Sequence, residues 1–379
     1  MRKAAHETLS RSAIEFFSRL LLSAHERVSA VSAEGAAAEA RPKVKSNLQF
    51  TEMRPDEFET LIELAQAHHV IVRGLQAALK LPREDRSATQ SEWAEGALEF
   101  EQARIGRAAY FLHAICTLFE ECGMDALVIK SLDHWPDMGS DLDLYTNGAP
   151  DDVLRLMKTR FNARIAPRSW GDRLAAKWNF IVPGLPEAVE VHVGKLGQTG
   201  EQTALASSMI DRSTKILRGG YSFRVTSAQD RLILSALQRM YRHFYFRLCD
   251  VVDTVTLADA GSIDYGVLRS SAEKAGVWTG VATYLCIVSD YAMSYRGRGL
   301  ALPQFVTGEA QFGGHEVHFE RGYLRVPVLP QAMRLYGLQL AKVLGRGELK
   351  NGVRLSLLPW LATAALVGQK LTGSDKGIW

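Results

Sequence analysis

The sequence predicts an α+β fold: a small mixed sheet flanked by N-terminal and C-terminal helical regions. Three observations predict it. First, Ala126-Leu127-Val128-Ile129 is a short apolar, β-branched run, and Asp141-Leu142-Asp143-Leu144-Tyr145 and Ala188–Val193 alternate polar and apolar residues at the strand period of two. Second, a helical stretch at Asp151–Phe161 and further short segments up to Val225 give a β-α-β-α-β order around those strands. Third, the chain before and after this region carries apolar residues at helical spacing.

In chain order, residues 9–31 place Leu9, Ile14, Phe17, Leu20, Leu21 and Val28 on one helix stripe, and Ala33–Ser46 reads as a linker. Pro55-Asp56-Glu57 opens a helix, with proline at the first turn and acids on the positive end of its dipole. That helix runs through His68, and a second follows from Val70 to Leu79. The adjacent His68 and His69 face about 100° apart on a helix and read as solvated or capping residues. Leu81–Ser91 reads as a loop and Glu92–Cys122 as a long helix stopped by Gly123. Asn147-Gly148 is a turn, and Ala163–Pro167 a short strand. Arg173 and Lys177, four apart, could reach phosphate, but the commoner reading is basic residues on a solvated helix face. Ser227–Leu257 reads as continuous helix, with Tyr241, Phe244, Tyr245 and Leu248 as its packing stripe. His315–Glu320 and Tyr323–Val328 read as a hairpin, in which His315 and His318 face opposite sides and make a poor metal pair. Gly345–Gly352 is a turn-rich break. The expected regions are 1–105 (helical), 106–225 (the α+β core), 226–300 (helical) and 301–379 (hairpin and helices).

The composition limits the function. The 379 residues are 47% hydrophobic and 23% charged, ordinary for a soluble globular protein. A net charge of +3 gives no field suited to nucleic acid or an anionic membrane. Cys116, Cys122, Cys249 and Cys286 lack metal or disulfide spacing. No signal-type apolar core follows Met1, so a reduced, cytoplasmic setting is expected. Leu355–Gly368 is uncharged but shorter than the roughly twenty residues that cross a bilayer. It contains Pro359 and reads as a packed terminal helix or an interfacial one.

The chemistry concentrates on two strands. Alternation puts Asp141 and Asp143 on one face and Leu142 and Leu144 in the core. Two carboxylates on one face repel unless a cation lies between them, and hard divalent cations take such oxygens together with phosphates. A second polar strand face carries Glu190 and His192. The first strand ends in Lys130-Ser131, and a nine-residue spacer separates it from Asp141.

Ile129-Lys130-Ser131, a spacer and Asp141-Leu142-Asp143, followed by Glu190 on a later strand, resemble the nucleotidyltransferase superfamily that includes DNA polymerase beta and kanamycin nucleotidyltransferase. Within it, Lys130, Asp141, Asp143, Glu190 and His192 resemble the Leu-Lys-Gly, D-x-D and Glu-x-His pattern of the bacterial group called uncharacterised nucleotidyltransferases. Ser131 departs from the usual glycine. The helical stretch around residues 61–79 and the run Arg247–Asp253 extend the resemblance over about residues 55–290.

The resemblance implies a nucleotidyltransferase core and transfer of a nucleoside monophosphate from a nucleoside triphosphate such as ATP to an acceptor hydroxyl, with release of pyrophosphate. Asp141, Asp143 and Glu190 would be catalytic and hold Mg²⁺ or Mn²⁺. Lys130, Ser131, Gly139 and Ser140 would bind the nucleotide. His192 and Arg247 would be acceptor or auxiliary residues. The partners are then a nucleotide and a small-molecule, sugar or protein acceptor rather than nucleic acid. The other reading is a degenerate relative that binds nucleotide or a partner without chemistry, to which Ser131 points.

Overall fold

The computed structural model describes residues 2–30 and 50–360, and the structural statements below concern these residues. The expected linker at Ala33–Ser46 and most of the Leu355–Gly368 segment lie outside them. Helix α1 spans Arg2–Ala30. Pro55 and the acids after it start α2 (Pro55–Ala67), followed by α3 (Ile71–Ala78) and the long α4 (Ala88–Glu121). The expected strands form as β1 (Ala126–Val128) and β2 (Asp141–Thr146). After α5 (Pro150–Phe161) come β3 (Arg164–Ile165), the short α6 (Trp170–Leu174), β4 (Lys177–Ile181) and β5 (Ala188–Val193). Helix α7 (Thr203–Asp211) leads to a hairpin, β6 (Thr214–Arg218) and β7 (Tyr221–Val225). Then follow α8 (Ala228–Tyr241), β8 (Tyr245–Phe246), α9 (Leu248–Asp259), α10 (Tyr265–Lys274) and α11 (Trp278–Arg296). The C-terminal third holds α12 (Gln304–Thr307), β9 (His318–Glu320), β10 (Tyr323–Arg325), α13 (Met333–Gly345) and α14 (Leu349–Ser356).

The chain divides into two compact units, each gathered from three stretches. The first takes Met1–Ile105, His243–Ser262 and Ala282–Gln331; the second takes Gly106–Arg242, Ile263–Val281 and Ala332–Trp379.

In the first unit, α1 buries Phe16, Phe17 and Leu22 and packs against α2, α3 and α9. A three-stranded sheet in the order β8-β10-β9 belongs to the same unit. His68 and His69 are buried, not solvated. His68 closes α2 as its C-cap. Its ring accepts the Leu248 N–H at 2.9 Å through Nδ1 and donates to the Gly322 carbonyl at 2.8 Å through Nε2.

The second unit carries a mixed seven-stranded sheet in the order β3-β4-β5-β2-β1-β7-β6. β2 pairs parallel with β5 and β1 parallel with β7; the other pairings are antiparallel. The alternation read from the sequence holds: Leu142, Leu144, Val189 and Val191 are fully buried beneath the polar positions between them. On the usual area scale, each such side chain contributes about 1.5–3 kcal/mol on burial.

Two helical expectations are corrected. The run expected over Ser227–Leu257 stops at Tyr241, because Phe244 takes φ +56° and Tyr245–Phe246 leave as strand β8 to pair with β10. The stripe of Tyr241, Phe244, Tyr245 and Leu248 therefore does not form. Arg173 and Lys177 do not share a helix either. α6 ends at Leu174, Ala176 turns at φ +51°, and Lys177 begins β4.

Candidate functional site

A three-residue turn builds the first part of the site. Ser131 N–H donates to the Ile129 carbonyl at 2.7 Å around Lys130, whose φ is +65°. Such turns are rare and strained in L-residues, and strain of this kind collects at functional positions. It carries the chain abruptly off the end of β1. The Lys130 ammonium is thereby brought onto the Asp143 carboxylate and to 3.7 Å from Glu190 Oε1.

Ser131 is buried. Its hydroxyl accepts the Asp143 N–H at 2.6 Å and donates to the Asp141 carbonyl at 3.3 Å. Both its hydroxyl and its N–H are thus engaged inside the protein, and the hydroxyl clamps the end of β1 to the D-x-D segment. A glycine could not do this.

The parallel pairing of β2 with β5 sets Asp143 directly across from Glu190 and Tyr145 from His192. Oxygens of Asp143 and Glu190 and a nitrogen of His192 lie within 4.8 Å of one another. Asp141, opposite Ala188, is the exposed first residue of β2, on the same strand face as Asp143 but outside that close group. Gly139 and Ser140 lie in the segment leading to it. Arg247 falls in the first unit, as the residue before α9, where its N–H donates to Asp250 at 2.7 Å. The carboxylate cluster is built from the second unit.

Lys177 and Asp172 belong to the cluster and were missed in the sequence. The Lys177 ammonium lies 2.9 Å from Glu190 Oε2 and 2.9 Å from Asp172 Oδ1. Asp172 is fixed by a reciprocal cap on α6: its N–H donates to Ser169 Oγ at 3.0 Å, and its carboxylate accepts the Ser169 N–H at 2.9 Å. The available signal was Lys177-Trp178-Asn179-Phe180-Ile181, which alternates and is rich in β-formers.

Glu190 is the centre of charge. Its Oε1 meets His192 Nε2 at 2.8 Å and its Oε2 meets Lys177. Burial would raise its pKa, but Lys130, His192 and Lys177 outweigh burial and hold it well below the usual value. Asp143 moves the other way. Burial pushes it up to about 7, Lys130 opposes this, and the negative Glu190 adds to it. Two carboxylates in one site divide in this manner, one keeping the charge while the other resists it. Burial lowers His192 to about 4 despite Glu190. The ring is therefore neutral at pH 7. Because an ionised carboxylate only accepts, the ring hydrogen lies on Nε2 and Nδ1 presents a lone pair. That Nδ1 is buried and has no hydrogen-bond partner among the described residues.

No family model matches the chain, and no curated protein matches it. No helix among the described residues is long and apolar enough to cross a membrane.

Proposed function

We propose that the protein is a divalent-metal-dependent nucleotidyltransferase. The observation that supports this most is the register of β2 with β5. It sets Asp143 across from Glu190, with Asp141 on the same strand face and a lysine turn at the end of the adjacent β1. Asp143 and Glu190 offer neighbouring carboxylate oxygens suited to a hard cation, and Mg²⁺ or Mn²⁺ would be held by them, with Asp141 as a further carboxylate on the same strand face. When bound, such an ion neutralises phosphate charge and lowers the pKa of a coordinated hydroxyl.

In the reaction, an acceptor oxygen bonds to the α-phosphorus of a nucleoside triphosphate while the bond from that phosphorus to the bridging oxygen breaks. Pyrophosphate leaves with the electron pair, and the acceptor proton is lost to solvent. Lys130 supplies a positive charge for the phosphates, and His192 offers Nδ1 to an acceptor hydroxyl. Orientation and charge stabilisation account for most of the catalysis in such transfers.

A second reading has its own support. Lys130 and Lys177 already neutralise Asp143 and Glu190, as expected of a nucleotide-binding relative without chemistry. Labelled triphosphates incubated with Mg²⁺ and cell extract separate the two readings. The transferase releases pyrophosphate and labels an acceptor, and Asp141→Asn or Asp143→Asn lowers this roughly 10²–10³-fold, the scale of losing an electrostatic stabiliser. Metal-independent triphosphate binding with no pyrophosphate release would favour the binding module.

A further inference from the structure

The second unit contains a cleft of about 620 Å³, counted out to its open mouth, that begins at Lys130 and His192 and runs along α8. Its walls include Leu234 and Leu237 of α8, and Arg242 stands at the C-terminal end of that helix. Two groups there lack internal satisfaction. His192 Nδ1 is a buried polar atom with no hydrogen-bond partner among the described residues. The Arg242 backbone N–H caps α8 on the Gln238 carbonyl, but its half-buried guanidinium has no hydrogen bond or ion pair among the described residues. Glu201 also lines the cleft, but its carboxylate is turned to its own loop. There it accepts the Thr199 N–H at 2.9 Å and the Thr199 hydroxyl at 3.1 Å.

A buried polar atom without a partner, a guanidinium without an anion beside it and an apolar wall together describe one ligand chemistry. The geometry points to a phosphate ester with a free hydroxyl as the occupant of this cleft, its phosphate facing Arg242 and its hydroxyl, which can donate or accept, hydrogen-bonded to His192 Nδ1. Two sources share that chemistry, a sugar phosphate acting as acceptor and a nucleoside phosphate. The inference rests on the transferase reading only for the fate of the bound hydroxyl, since binding is measurable without metal or triphosphate.

The test is titration calorimetry in EDTA with inorganic phosphate, ribose 5-phosphate and AMP. Wild-type protein should bind at least one ester more tightly than inorganic phosphate. Arg242→Gln should weaken all three by roughly 10-fold or more, the scale of a lost charged hydrogen bond, while Arg242→Lys, which keeps the charge, should lose less. His192→Asn should weaken the esters and leave inorganic phosphate unchanged. AMP binding about 10-fold more tightly than ribose 5-phosphate assigns the cleft to a nucleotide, and equal affinities assign it to a sugar phosphate. The inference is overturned if neither ester binds at millimolar concentration, or if both bind Arg242→Gln and Arg242→Lys as they bind wild type. Esters no tighter than inorganic phosphate and indifferent to His192→Asn would also overturn it. None of these outcomes depends on pyrophosphate release, so failure here and failure of the transferase reading are distinguishable.

Discussion

Ser131 carries two backbone bonds of β2 on a single hydroxyl. Replacing it with alanine leaves the Asp143 N–H without that acceptor in a buried position, which costs about 1–3 kcal/mol. Urea unfolding of Ser131→Ala should show this loss, and an unchanged midpoint would remove the clamp from the account. Lys177 is a harsher test, because its side chain is 8% exposed and it joins two carboxylates. Lys177→Met strips buried charges of their partner and should cost about 3–5 kcal/mol. Combined with Glu190→Gln, it should cost less than the sum of the single changes, since contacting residues are not additive. At this scale Asp143, Glu190 and His192 were legible, because alternation in a strand fixes which side chains share a face. Lys177 was not. Its spacing from Arg173 also fits a helix, and only the left-handed turn at Ala176 and pairing with β5 decide against that.

At the scale of elements, β2 and β5 carry titrations of opposite sign. Asp143 on β2 has a raised pKa, so its ionisation disfavours the folded state as pH rises from its ordinary value of 3.8 through about 7. Asp143→Asn removes that penalty. In metal-free protein, its stability relative to wild type should therefore be greater at pH 8 than at pH 5. His192 on β5 is lowered from 6.5 to about 4, so the unfolded chain binds its proton first and stability falls as pH drops across that window. Glu190, also lowered, adds a further loss below its ordinary 4.5. Chemical denaturation of wild type and His192→Gln at pH 5 and pH 7 checks the histidine part: the variant should lose less on acidification, and parallel losses would refute it. The strands bearing these groups were readable because their patterns are local. The break after α8 was not, since Tyr241–Leu248 has helical spacing and β8 exists only through pairing with Leu324 and Arg325, nearly eighty residues later.

At the scale of the whole molecule, neither unit is a continuous segment, so a boundary drawn from sequence cuts through packing that local patterns do not report. The seven strands all lie between Ala126 and Val225, which makes 106–225 look sufficient as the α+β core. Yet the same unit takes in α8 and α10. α8 buries Leu232, Ile233, Leu234 and Met240 and packs on α10. Arg212, beside α7, pairs with the fully buried Asp230 at 2.5 Å, and Asp133 of the loop before β2 pairs with Arg231 at 3.0 Å. A fragment ending at Val225 loses the α8 side of these contacts and exposes the apolar surface that α8 covers. Each buried leucine or isoleucine is worth about 1.5–3 kcal/mol, and a domain's net stability is only about 5–15 kcal/mol. The polypeptide 106–225 should therefore show no cooperative thermal transition by near-ultraviolet circular dichroism. Extension to residue 276, which restores α8 and α10, should gain structure, and adding 332–360 together with it should bring the transition closest to that of the full chain. A sharp, reversible melt of 106–225 alone would mean that the sheet needs no helices from beyond Val225.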